Sequence, residues 1–205
     1  MKEYPSINKD IRTDIMIYAF DKLDGTNIRA EWSKKRGFYK FGTKKCMLGE
    51  DHKIFGESIG LIRRKYEENL AEIFLQEKWD SVTCFFEFCG PNSFSGYHDL
   101  TEPHDVTLFD VNVYKQGLLN PSDFIDLFQK TGIPKVLYYG KANSFFIEQV
   151  RSSTLDNMTF EGVVCKGKND KKTKMPIMFK VKSRAWLDKL KTICKDDEKL
   201  FQQLA

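Results

Sequence analysis

Residues 81–89, SVTCFFEFC, are a nearly continuous apolar run broken by one acid, Glu87. Such a run reads as a buried central strand. Just upstream the period changes. Ile59, Ile62, Tyr66, Leu70, Ile73, Phe74 and Trp79 recur every three to four residues, which predicts an amphipathic helix over 58–79. Farther upstream, 14–20 (DIMIYAF) is rich in β-branched and aromatic residues and too short for a helix, so it reads as a strand. Two more strands follow at 27–33 and 38–42, joined by the polar turn Lys34, Lys35, Arg36, Gly37.

Downstream of the central run, 106–114 alternates like a strand, and Asn120-Pro121-Ser122 opens a short helix that runs to Lys130 and is closed by Gly132 and Pro134. A strand at 136–139 and a helix at 144–151 come next. Residues 162–165 and 177–181 read as a hairpin around a long basic connection, and a last helix runs from Arg184 to the C-terminus. This order predicts an α+β fold with mostly antiparallel sheets flanked by helices, in one domain over 1–205.

The 33 Lys and Arg against 29 Asp and Glu leave a net charge of +4, which permits anionic partners without requiring them. At 41% hydrophobic and 30% charged residues, the composition is that of an ordinary globular chain. Nothing approaches a membrane span, and MKEYPSINKD has no signal-peptide core. Five scattered cysteines (Cys46, Cys84, Cys89, Cys165, Cys194) point to reduced thiols and a cytoplasmic setting. Neither they nor His52, His98 and His104 have zinc-like spacing.

Three features carry chemistry. Lys22-Leu23-Asp24-Gly25 directly follows an apolar strand. A lysine leaving such a strand is partly desolvated, which lowers its pKa from about 10.4 and makes a usable nucleophile; the alternative is a plain turn with a solvated lysine. Glu87 and Glu161 are acids set among aromatics and valines, a costly placement unless each is paired or binds a hydroxyl or metal. Pointing outward, or pairing with a structural lysine, would also satisfy them. In Phe179-Lys180-Val181-Lys182, alternation puts both lysines on one face, where an anion such as phosphate would relieve their repulsion; a solvated strand face is the other reading.

Taken in order, Lys22-Leu23-Asp24-Gly25, Phe86-Glu87-Phe88-Cys89-Gly90, Leu108-Phe109-Asp110-Val111, Glu161-Gly162-Val163-Val164 and Lys180-Val181-Lys182 resemble nucleotidyl motifs I, III, IIIa, IV and V. These belong to the covalent nucleotidyltransferases, the superfamily of ATP-dependent polynucleotide ligases and mRNA capping enzymes. The continuation Thr26-Asn27 looks most like the RNA ligases that seal nicks, whereas DNA ligases and capping enzymes usually have arginine where Asn27 stands. Asp24 departs from the histidine of the phage nick-sealing ligases, and Thr43-Lys44 stands where many members have arginine.

The resemblance implies an ATP-grasp-like adenylation domain with ATP and Mg²⁺ or Mn²⁺ as cofactors. Lys22 would attack the α-phosphorus of ATP, and Lys180 and Lys182 would offset the charge that builds on its oxygens. Glu87 would take the ribose hydroxyls, Phe109 the adenine (with Phe88 a competitor), and Glu161 the metal. Asp24 counts with the nucleotide-binding motif, and Asn27 and Lys44 would contact the nucleotide or an RNA 5′-phosphate.

The expected partner is RNA with 5′-phosphate and 3′-hydroxyl ends, including nicked duplexes. The expected arrangement has no OB-fold domain after motif V, with a homodimer or helper protein in its place. The basic stretch 166–174 and the turn Lys34-Lys35-Arg36 are candidates to follow an RNA backbone. The competing functions are a small ATP-dependent DNA ligase, a GTP-using capping enzyme, and a nucleotide- or RNA-binding protein without full sealing activity.

Overall fold

The computed structural model describes residues 1–7, 10–91, 101–170, 175–195 and 197–204. His98 and residues 171–174 lie outside them. The chain divides into two compact units, the first built from residues 1–6, 24–134 and 169–176, the second from 7–23, 135–168 and 177–205.

The first unit holds a six-stranded sheet. Its strands are β2 (Thr26–Ser33), β3 (Gly37–Thr43), β4 (Met47–Leu48), β5 (Ser81–Cys89), β6 (Asp105–Val113) and β7 (Gly117–Leu118), ordered β4-β3-β2-β5-β6-β7. The registered pairs within it are antiparallel. The run at 81–89 is indeed central, flanked by β2 and β6.

One face of this sheet is apolar: Ile28, Ala30, Trp32, Cys84, Phe86, Phe88, Val106 and Leu108 are buried. Helix α1 (Glu57–Gln76) packs on it through Tyr66 and Phe74, whose rings meet Phe86 and Trp32 at 5.2 and 5.0 Å. The predicted helix over 58–79 is too long at its C-terminal end. Lys78 takes a positive φ of 57°, and the Trp79 N–H donates to the Phe74 carbonyl at 2.9 Å, so the chain turns back and Trp79 caps the helix instead of extending it. Helix α2 (Pro121–Phe128) starts on Pro121 and runs into a short 3-10 turn ended by Gly132 at φ 85°, as its sequence signals predict.

The second unit holds a four-stranded sheet made of β1 (Met16–Asp21), β8 (Val136–Lys141), β9 (Gly162–Asn169) and β10 (Pro176–Lys182), ordered β10-β9-β1-β8. Strand β1 runs antiparallel to both of its neighbours. Its core joins Ile17 and Ala19 of β1, Val163 and Cys165 of β9, and Phe179 and Val181 of β10 with Phe146, Ile147 and Val150 of α3 (Ser144–Arg151). The final helix is two: α4 (Arg184–Cys194) and α5 (Glu198–Leu204), separated where Lys195 has φ 49°.

The basic connection is also shorter than expected. Lys166 lies inside β9 and is buried, with its ammonium 5.0 Å from the centre of the Phe20 ring, so it is not part of a solvated loop. No helix among the described residues is long and apolar enough to cross a membrane, and all five cysteines are free thiols.

Candidate active site

In the second unit, three of the residues singled out by sequence meet at one carboxylate. Lys22 follows the end of β1, and its Nζ is 2.9 Å from Glu161 Oε2. Lys182, the last residue of β10, brings its Nζ to 3.1 Å from Glu161 Oε1. Glu161 is 4% exposed, so it is a buried acid held by two lysines. Although Lys22 is close to Oε2, that oxygen accepts no well-formed hydrogen bond, so it retains acceptor capacity.

The backbone explains why these side chains converge. Gly162 has φ 137°, and a Cβ there would stand 2.1 Å from the Val181 carbonyl oxygen and 2.9 Å from Lys182 Cα. Only glycine permits this approach of β9 to the end of β10. The Lys22 N–H donates to the Gly162 carbonyl (2.9 Å), and the Ser183 N–H donates to the Glu161 carbonyl (2.9 Å).

Two residues that sequence reasoning passed over complete the frame. Buried Asp21 accepts from both the N–H and the hydroxyl of Thr159, each at 3.0 Å, tying the loop before Glu161 to the residue before Lys22. Burial raises its carboxyl pKa. Ser183 donates its hydroxyl to the Phe160 carbonyl (2.7 Å) and caps α4 by accepting from the Trp186 N–H (3.1 Å). The cap places the Trp186 ring 3.7 Å from Lys182 Nζ. An Asp ending an apolar strand and a Ser four residues ahead of a helical Leu were the available signals, both common in ordinary turns.

Burial lowers the Lys182 pKa to about 8; Glu161 pulls it back up, while Lys180 and Lys22 push it down. Lys180 shares the strand face of Lys182, opposite buried Phe179 and Val181, as alternation predicts. Two lysines therefore hold one carboxylate, with a third on the same strand face near enough to act on Lys182. The excess positive charge suits an anion.

The first unit gathers the other candidates on the polar face of its sheet. Asn27 of β2 is the cross-strand partner of Glu87 of β5. Gly25 leads into that pair: a Cβ there would meet the Phe88 carbonyl oxygen at 2.5 Å and Cys89 Sγ at 2.8 Å, so its role is close approach to β5. Asp24 is half-buried beside it. On β6 the register shifts between Phe85 and Phe86, which pair with Asp110 and Leu108, leaving Phe109 as the bulged residue. The bulge aims the half-buried Phe109 away from the apolar face. Its competitor Phe88 is fully buried on that apolar face, stacked on His104 at 4.7 Å.

Tyr4, which carried no sequence signal, lies edge-on to Phe109 (5.0 Å, 87°) and donates to Asp110 Oδ2 at 2.9 Å. Burial and the Asp110 charge raise its pKa well above the ordinary phenol value. Lys44 stands apart, exposed in the bend after β3.

The described residues contain no group of three or more His, Cys, Asp or Glu side chains arranged to hold a metal. A site built on Glu161 would supply one carboxylate, the mode in which Mg²⁺-type ions bind when substrate phosphates and water provide the other ligands.

The RNA ligase family profile matches residues 16–182. No curated protein matches the chain by sequence. Among solved structures it is similar to Naegleria gruberi RNA ligase. A mutant of that protein with ATP and Mn is matched at TM-score 0.63 and 17% identity over 86% of this chain and 52% of that one. A mutant with AMP and Mn is matched at TM-score 0.63 and 16% identity over 91% and 59%. The same ligase with PPi is matched at TM-score 0.64 and 18% identity over 93% and 60%. At these identities the likeness is one of fold, and the chain spans between 52% and 60% of the length of these matched structures. With the family profile covering both the lysine that follows β1 and the paired lysines of β10, the chain belongs to the RNA ligase family.

Proposed function

We propose that the chain is an ATP-dependent RNA ligase acting through a covalent adenylate on Lys22. The observation that carries the reading is the cluster of Lys22 and Lys182 on buried Glu161, with Lys180 on the same strand face. Membership of the RNA ligase family supports RNA as substrate, and the ATP, AMP, PPi and Mn named for the Naegleria gruberi enzyme support ATP and a divalent metal here.

In the first step Lys22 Nζ, as the free amine, attacks the α-phosphorus of ATP. An N–P bond forms, the bond to the bridging oxygen breaks, and pyrophosphate leaves. Glu161 Oε2, 2.9 Å from Nζ, holds the amine in place, and the amine's proton passes to solvent. Lys180 and Lys182 offset the charge that develops on the α-phosphate oxygens. A 5′-phosphate oxygen of RNA then takes AMP from Lys22, and a 3′-hydroxyl displaces AMP to form the phosphodiester.

A bound divalent ion would add charge neutralisation at the phosphates, with Glu161 as the protein ligand; the spare acceptor capacity of Oε2 fits that role. Glu87 takes the ribose hydroxyls, Phe109 offers its ring to adenine, and Asp24 belongs to the nucleotide-binding motif. Asn27 and Lys44 contact the nucleotide or an RNA 5′-phosphate. Residues 1–205 act together as one adenylation domain, and nicked duplex ends are the substrate form that the Thr26-Asn27 continuation suggests.

The test is to incubate the purified protein with a divalent metal and each α-labelled nucleoside triphosphate in turn, beside Lys22→Ala. Acid-labile label from ATP alone, absent in the variant, is the expected result. Label from GTP would make the protein a capping-type enzyme, and no label would leave a nucleotide- or RNA-binding protein. Sealing assays on nicked RNA, DNA and hybrid duplexes then separate the RNA ligase from a small DNA ligase.

A further inference from the structure

At the other end of β2 from Asn27, the hairpin turn between β2 and β3 carries three consecutive cations. Lys34, Lys35 and Arg36 are all exposed, and none forms an ion pair among the described residues. Some surface cations of the same unit pair, Arg63 with Glu50 at 2.6 Å, Lys65 with Asp105 at 2.8 Å and Lys40 with Glu31 at 3.8 Å, while others such as Arg64 and Lys115 do not among the described residues; the turn is set apart by three such cations in succession.

Gly37, at φ 63°, tightens the turn and holds the three charges close together. They border a cavity of about 470 Å³ lined also by Ser33, Tyr39 and Asp80. The Arg36 guanidinium lies over the Tyr39 ring at 5.3 Å, a cation–π contact, and Tyr39 in turn donates to Glu31 at 3.2 Å. The one lining carboxylate, Asp80, leaves the pocket with a net positive charge.

We propose that this pocket is an anchor for the RNA sugar–phosphate backbone, at the opposite end of β2 from Asn27. It rests on the reading that RNA is the substrate. Clustered, unpaired cations around a concave surface gain most from a polyanion, because each phosphate contact releases a counterion. The exposed Tyr39 ring beside Arg36 adds an aromatic face of the kind on which bases of a nucleic acid strand rest.

The position sets a length. Asn27 and Ser33 lie six residues apart on the same face of β2, about 20 Å at ~3.3 Å per residue. On an A-form RNA strand, whose rise is shorter than that of DNA, this span puts the anchor roughly six to seven nucleotides from the group that Asn27 contacts.

The experiment compares the wild type with Lys34→Ser/Lys35→Ser/Arg36→Ser on fluorescent nicked RNA duplexes, titrating salt between about 50 and 200 mM. With long arms beside the nick, the variant binds about ten- to a hundredfold more weakly at low salt, and the slope of log Kd against log salt falls by about two to three. With arms of about four base pairs, too short to reach the turn by the spacing above, the two proteins bind alike. Lysyl-AMP formed from ATP alone is the same in both, since no RNA takes part. The single variant Lys35→Glu gives the same pattern with a smaller slope change and guards against damage to the hairpin.

An unchanged slope on long RNA, or equal losses on short and long RNA, overturns the anchor. The two readings fail separately. Salt-dependent RNA binding without any AMP label refutes the ligase and leaves the anchor standing, whereas label without salt-dependent RNA binding refutes the anchor and leaves the adenylate chemistry.

Discussion

The two compact units differ in how they present polar groups. The four-stranded unit concentrates charge: Glu161 and Lys182 are buried, and Lys22 is at ion-pair distance from the same carboxylate. The six-stranded unit presents half-buried, largely neutral or hydrogen-bonding groups along one sheet face, with Asn27 opposite Glu87 and Phe109 on a bulge braced by Tyr4. Dense buried charge is expensive to assemble and is suited to stabilising charge that develops during a reaction. A rigid sheet face with spaced acceptors and a ring is suited to recognition. Under the proposed function, bond-making and nucleotide recognition would draw on different parts of this chain, and the two should respond differently to substitution.

The sharpest division is expected at Lys22. Lys22→Ala should lower covalent AMP labelling below detection while ATP binding, followed by calorimetry, survives. Retained label would transfer the nucleophile to another residue and break the comparison at once.

Next in size is Glu161. Replacing it with alanine leaves two lysines facing each other without their shared carboxylate, so thermal unfolding should show a loss of about 3–5 kcal/mol, as for other broken buried pairs. Glu161→Gln should fold better yet label far more slowly than wild type. A stable alanine variant would mean that the cluster is more solvated than its geometry states.

For the six-stranded unit, Glu87→Ala should raise KM for ATP about tenfold, the equivalent of one charged hydrogen bond, with a much smaller effect on kcat. An equal fall in kcat and kcat/KM would place Glu87 in the transition state and erase the proposed division.

A pH dependence tests the buried charge of the four-stranded unit directly. Lys182 sits near 8 in the folded chain against 10.5 for an ordinary lysine. Between those values the unfolded chain binds more protons at this site, so this group makes stability rise as pH increases through that window. Thermal melts of the wild type against Lys182→Met should show the difference widening in favour of the wild type from about pH 8 to 10.5, with the sign following from proton linkage. A flat difference would mean that Glu161 fully offsets the burial of the ammonium.

Much of this was legible in the residues themselves. Strand alternation alone predicted that Lys180 and Lys182 share a face, and the apolar run at 81–89 announced its central position in the sheet. The amphipathic period located α1 but overran its end, because Trp79 continues the period while the left-handed Lys78 folds it back onto Phe74. Lys166 read as part of a basic loop because charge counts carry no information about strand length; only pairing with β1 draws it into the sheet.

What the sequence by itself determined was the set of elements, the face each side chain takes along its strand, and the motif order that marks the family. These are local properties, set by periods of two and 3.6 residues and by turn chemistry. Only the tertiary structure decided that Glu161 serves Lys22 and Lys182 together, that Gly162 makes room for that meeting, that Phe109 rather than Phe88 leaves the core face, and that Tyr4, Asp21, Ser183 and Trp186 brace the groups around them. Those contacts join residues distant in the chain. They depend on strand order, a one-residue bulge and close backbone approach, none of which leaves a periodic trace in the sequence.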